Sequence, residues 1–181
     1  MFGVPARSKR SAGVADGSAR PERWPCGTTS PRSGAWTVDD ADGVLHERFA
    51  TRVRAPAITV GRVAATSAAL RMPFAGALCR DDGAVGGHAL AAPADTAMVI
   101  VVAAAPGGWR PMATVDPHTT CSRPRVRVVP NADVVVEARV ARIGRTPAFA
   151  RVAMRAPPRD ASRGSDPRAV VASAVGAFAV P

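Results

Sequence analysis

Residues 88–105 read HALAAPADTAMVIVVAAA, with one carboxylate, Asp95, and one proline, Pro93, among otherwise small or apolar residues. The run is longer than strands usually are, and Ala89, Ala91, Ala92, Ala94 and Ala97 favour a helix buried on every side. APGGW then ends it with a proline and a glycine pair. A helix with no polar face cannot lie on a surface, so the rest of the chain has to wrap it. The longest uninterrupted apolar stretch, 97–105, has nine residues, against about twenty for a membrane span. An unpaired charge inside such a run is expensive, which makes Asp95 the first candidate for function.

The flanking segments supply a wrapping. DDADGVLHERFATRVRAP offers Asp caps and then Val44, Leu45, Phe49 and Val53, an amphipathic helix ended by Pro56. AITVGRVAATSAALRMPF reads as one strand with Gly61 as a bulge or bend. Residues 80–87 form a loop by their Asp-Asp-Gly and Gly-Gly content. After the helix, MATVDPHTTCSR alternates moderately, and Pro117 argues there for an edge, a bulge or a break. DVVVEARVARI sets Val136, Ala138 and Val140 against Glu137 and Arg139, and AFARVAMRA sets Ala150, Val152 and Met154 against Phe149, Arg151 and Arg155. IGRTP joins those two as a hairpin, and RAVVASAVGAFAV makes a last strand. The expected order is strand, long helix, then four strands in an antiparallel meander.

At 181 residues one domain is expected. Residues 1–37 are rich in Gly, Ser, Pro and Arg without a sustained period, which predicts a flexible basic arm before a domain over 38–181. The net charge of +10 is carried almost wholly by arginine. Those arginines are scattered and not gathered in one stripe, which argues against nucleic acid as the partner and for a compositional bias. Cys26, Cys79 and Cys121 are odd in number, with no CxxC pair and no histidine at ligand spacing, so neither a zinc site nor a disulfide scaffold is expected. The N-terminus has no apolar core of a secretory signal, and the expected compartment is the cytoplasm.

Over about residues 58–180, GGHALAAPADTAM, ATVDPHTTCSRP, VVVEARVARIGRTPAFARVAM and SAVGAFAV resemble the PaaI-like hotdog acyl-CoA thioesterases in motif, spacing and order. The resemblance implies an α+β hotdog fold, a curved antiparallel sheet wrapped around one long central helix. It implies hydrolysis of a small or medium acyl-CoA thioester without metal or organic cofactor, at a site shared by a homodimer, often within a dimer of dimers. Gly87 takes the place of the backbone donor to the thioester carbonyl. Asp95, eight residues later, takes that of the carboxylate, and Thr114 that of the polar partner on the next strand. Gly86, His88, Arg123, Gly144 and Arg145 fall where relatives meet the substrate.

Two departures stand out. Many relatives read His-Gly-Gly where this chain reads Gly86-Gly87-His88. Pro93 removes an N–H bond to the Ala89 carbonyl at about 3 kcal/mol in a helix interior, so a kink or a late start of the regular helix is expected. The alternatives to hydrolysis are a hotdog module that binds CoA without turnover and a basic polyanion-binding protein using the arm. Asp116 and His118 share one strand face, as a hydratase dyad would, but lack an Asn-Pro context.

Overall fold

The structure is a computed structural model that describes residues 36–54, 56–122, 133–157 and 169–181. The basic arm, apart from its last residues, and Arg123 lie outside the described residues. Helix α1 (Val38–Arg48) opens with a reciprocal cap in which the Asp40 N–H donates to Thr37 Oγ1 at 3.2 Å and the Thr37 N–H donates to Asp40 Oδ2 at 3.0 Å. It buries Ala41 and Leu45. The chain leaves helical geometry at Phe49, and a short α2 (Thr51–Arg54) follows. The segment expected as one helix is therefore two.

The segment expected as one strand is a hairpin, β1 (Thr59–Ala64) and β2 (Ser67–Met72), with the irregularity at Gly61. Its turn, Ala65-Thr66, has none of the Gly, Pro, Asn or Asp that mark turns. A 3₁₀ turn (Gly76–Leu78) leads to α3 (Gly87–Ala104), then β3 (Ala113–Cys121), β4 (Val134–Ile143), β5 (Pro147–Arg155) and β6 (Val170–Ala179). All pairings are antiparallel, in the order β1-β2-β4-β5-β6-β3. Only β4-β5-β6 is the expected meander. β3 leaves the helix, crosses the whole sheet and pairs with β6 at the far edge.

One face of the sheet, with Leu70, Met72, Val136, Ala138, Ala150, Val152, Met154, Ala174 and Phe178, closes over α3. From Thr96 to Ala104 every residue of α3 is buried. The helix is long and apolar enough to cross a membrane by length and composition alone, yet it is the core of this domain. Thr96 is buried with its hydroxyl donating to the Ala92 carbonyl at 2.9 Å, which satisfies it within the helix. The helix runs unbroken through Pro93, which is itself buried. Burial of its ring offsets part of the lost bond, and the expected late start is not seen.

Gly176 on β6 matters to the seating of this helix. A Cβ there would meet Met98 Cε at 3.0 Å, Met98 Sδ at 3.1 Å and Phe178 Cε2 at 3.2 Å. Met98 lies one turn after Asp95, so the missing side chain sets how closely that part of α3 approaches β6. Gly176→Ala is expected to cost about 1–3 kcal/mol by overpacking, read as a lower thermal midpoint.

The two sheet edges differ. At β1 the Val60 N–H donates to Asp42 Oδ1 of α1 at 3.1 Å, so a side chain covers that edge. No such cover is described at β3, where all but one of the residues are exposed. The Ser122 N–H donates to the Val171 carbonyl at 3.0 Å. Antiparallel pairs alternate in their bonding, so Thr120 and His118 turn their backbone groups to β6. Pro117, Thr119 and Cys121 turn theirs to the open edge. Pro117 therefore removes no bond from the β3–β6 ladder, which explains its tolerance in the strand.

Candidate active site

Asp95 sits halfway along α3 on the side that faces β3, and Thr114, the second residue of β3, lies beside it. Thr114 Oγ1 donates to Asp95 Oδ1 at 3.0 Å. Desolvation by the surrounding apolar helix and sheet raises the Asp95 carboxyl above its ordinary value, and the Thr114 bond opposes that by favouring the ionised form. A half-buried carboxylate with a raised proton affinity and a hydroxyl to orient it is suited to accept a proton from water. Thr114→Val keeps the strand shape and removes the bond. It is expected to lower turnover about tenfold and move the acidic limb of the pH–rate profile to higher pH, since the opposing influence is gone.

Gly86 caps α3 and Gly87 is its first residue. The Gly86 N–H donates to the Leu78 carbonyl at 2.9 Å, which ties the cap to the preceding 3₁₀ turn. The first N–H groups of a helix have no partner within it and lie at the positive end of its dipole. Gly87 is exposed, and beyond its chain neighbours and the backbone of its own helix nothing lies within 4 Å of where its Cβ would be. His88 is exposed beside it.

Gly144 and Arg145 lie in the β4–β5 turn. Pro147 pairs with Ala179, which pairs with Ala113, so this turn stands at the Thr114 end of the sheet, about 10 Å from it across two strand spacings. Gly144 is required there, because a Cβ would lie 2.9 Å from the Pro147 carbonyl oxygen. Arg145 is exposed. Thr114 pairs with the buried Phe178, whereas Asp116 and His118 pair with Ala177 and Val175 after a register shift. The dyad therefore faces outward with exposed Val175, through the sheet from Asp95. Among the described residues, no group of His, Cys, Asp or Glu could hold a metal ion.

No family model matches the chain, and no curated protein matches it in sequence. Solved structures do match. A thioesterase from Haemophilus influenzae superposes with a TM-score of 0.65 at 13% identity, covering 84% of this chain and 95% of its own. The fold is the hotdog fold. The E. coli PaaI protein from the phenylacetic acid degradation operon matches with a TM-score of 0.63 at 13% identity, over 79% of this chain and 91% of that one. A hypothetical thioesterase from Streptococcus pneumoniae, solved with coenzyme A, matches with a TM-score of 0.56 at 12% identity, over 68% and 85%. At these identities the likeness establishes the hotdog architecture and leaves the chemistry to the residues.

The structure brings Asp95 and Thr114 together and leaves Gly86, Gly87 and His88 at the far end of the same helix. Sequence reasoning missed Gly176, whose only sequence signal was a glycine inside an otherwise apolar strand.

Proposed function

We propose that the protein is an acyl-CoA thioesterase acting on a small or medium acyl group, aryl or aliphatic. The observation that carries this is the Thr114–Asp95 pair at 3.0 Å on the helix of a hotdog domain. Asp95 takes a proton from a water that Thr114 orients, and the water oxygen attacks the thioester carbon. The Gly87 N–H holds the carbonyl oxygen as negative charge develops on it. The C–S bond then breaks, the thiolate of CoA takes up the proton held by Asp95, and the acyl group leaves as a carboxylic acid that gives its remaining proton to solvent. Arg145 and Gly144, at the same end of the sheet as Thr114, suit the phosphates of CoA. Arg123 is assigned the same role from the sequence. The chemistry needs neither metal nor organic cofactor.

Geometry within one chain does not complete this site. Gly87 and Asp95 are eight residues apart, about 12 Å along a helix, whereas one carbonyl must meet both. On α3, Gly87 and His88 are exposed and Ala91, Ala92 and Asp95 are half-buried, while Ala89, Leu90, Pro93 and Ala94 are buried. The open residues recur at helical spacing and form one stripe, with small side chains in the middle. A second copy whose helix runs antiparallel, about a twofold axis beside Ala91, brings its Gly87 to this Asp95 and the reverse. The open β3 edge lies alongside that stripe and offers the sheet contact. We therefore take the working unit to be a homodimer, with further pairing into a dimer of dimers open to measurement of mass in solution, and the cytoplasm as its compartment.

The test is thiol release from short, medium and aryl acyl-CoAs, with Asp95→Asn as control. Turnover that collapses in the variant supports the reading. No turnover from a folded dimer that still binds CoA replaces hydrolysis with ligand binding. A nucleic-acid complex that weakens with salt and disappears on deletion of residues 1–37 would support the polyanion alternative instead.

A further inference from the structure

Arginines that are scattered along the sequence are brought together by strand pairing, on the face of the sheet turned away from α3. Alternation puts Val134, Val136 and Ala138 of β4 and Ala148, Ala150 and Val152 of β5 in the core. Arg139 and Arg151 therefore stand on the outer face. They pair directly across β4 and β5, with Cβ atoms about 5 Å apart, and like charges so placed repel. Phe149, two residues from Arg151 on β5 and about 7 Å along the strand, pairs with Arg142. Arg62 of β1 pairs with Ala69, which pairs with Glu137, so it shares this face two strands from β4. All four arginines are exposed.

Other arginines of the domain are matched with acids. Arg71 pairs with Asp133, Arg80 with Asp82, and Arg155 with Glu137. Arg62, Arg139, Arg142 and Arg151 make no ion pair with any described residue. Phe149 is 40% exposed among them, and Val175, the partner of Arg151 on β6, is 55% exposed. A ring left in water between unmatched cations suits a ligand that alternates anionic groups with flat apolar ones. Phosphates fit the guanidinium forks, and a base stacks on the ring. A sheet closed over a helix has a convex outer face, which a flexible strand can follow and a flat bilayer cannot. A duplex keeps its bases stacked inside and offers none to Phe149. A carrier protein bringing a thioester to Asp95 is also a poor match, because this face lies through the sheet from that carboxylate. Asp116 ends the row of Arg142, Phe149 and Ala177 at β3, so a polyanion is turned from β3 toward β1.

We infer that the outer face of the sheet binds single-stranded nucleic acid, with Arg62, Arg139, Arg142 and Arg151 on its phosphates and Phe149 under a base. The site is separate from Asp95 and does not depend on the thioesterase reading. The full chain is titrated into a fluorescent oligothymidylate of about sixteen nucleotides, with anisotropy read from about 50 to about 200 mM salt. Arg139→Gln combined with Arg151→Gln is expected to weaken binding about tenfold or more. It should also lower the slope of log K against log salt by about 1.4, the share of two contacts on a single strand. Its thermal midpoint should not fall, since a like-charge pair is relieved. Phe149→Leu keeps an apolar side chain without the ring and should weaken binding about tenfold with the slope unchanged. Arg48→Gln combined with Arg110→Gln removes the same charge from exposed positions outside these strands and should leave affinity within about twofold, since screening limits distant charges. Equal weakening by the two pairs of substitutions overturns the inference, because net charge would then hold the strand. Native affinity in the Arg139 and Arg151 variant also overturns it and assigns binding to the basic residues 1–37. Native affinity in Phe149→Leu overturns the stacking role. No binding of oligothymidylate at about 50 mM salt, or equal affinity for polyglutamate or phosphatidylglycerol vesicles, overturns the choice of nucleic acid.

Discussion

Asp95→Asn is expected to lower thioester hydrolysis by about a thousandfold, within the range for removal of a general base, and at the same time to raise the thermal midpoint at neutral pH. The amide still accepts the Thr114 hydroxyl but takes no proton from water. The stability half of this result follows from the raised carboxyl. The folded protein binds that proton more tightly than the unfolded chain does. Stability from this group is thus fully present below the ordinary carboxylate range and is lost as pH rises through the raised value. Above it, the ionised carboxylate is a standing cost of the desolvated position, and the neutral amide does not bear it. Thermal midpoints of variant and native protein should therefore converge in acid and separate toward neutrality. Activity in the native protein runs the other way, since the base works only when ionised, and should fall as pH drops through the same raised value. A variant less stable than the native protein at neutral pH would mean that Asp95 is held by partners beyond Thr114. This is a stability–activity trade at one residue.

How much of this was legible beforehand depended on how far a residue's neighbours lie along the chain. The central helix was readable because an alanine-rich run with no polar face has few alternatives, and its observed bounds differ from expectation by one residue at each end. The break between β1 and β2 was not, because the turn at Ala65-Thr66 is held by the β1–β2 register and not by turn-forming residues. Nor was the place of β3. Alternation shows that a segment is a strand and says nothing about which strand it pairs with, and Thr114 reaches Asp95 only because β3 crosses to the far edge beside β6. The candidate pair Asp95 and Thr114 came from resemblance of motifs, and the structure places the two within hydrogen-bonding distance. Pro93 read as a threat to the helix, yet sequence alone could not show that its ring would be buried.

Thr119→Pro is expected to convert the protein to a monomer and to abolish turnover without unfolding it. Thr119 turns its backbone groups away from β6, so a proline there removes no bond from the β3–β6 ladder. It does remove an outward N–H, as Pro117 already does one register step away. With both positions blocked, Cys121 is the remaining residue of this outward set with an N–H to offer. A second β3 then has too few partners to pair. If the active unit is the dimer inferred above, the monomer keeps Asp95 and Thr114 together and still has no Gly87 N–H within reach of the same carbonyl. Mass in solution, circular dichroism and thiol release on one sample decide the matter. Ala91→Arg provides an independent route to the same state, because it places a long cation at the proposed twofold axis, where its own copy repels it. A monomer that hydrolyses acyl-CoA at the native rate would sink the shared site. A Thr119→Pro dimer with native activity would instead move the interface off the β3 edge. Loss of activity together with loss of the dimer, in two variants that touch different elements and spare the carboxylate, ties the chemistry to the pairing of two chains.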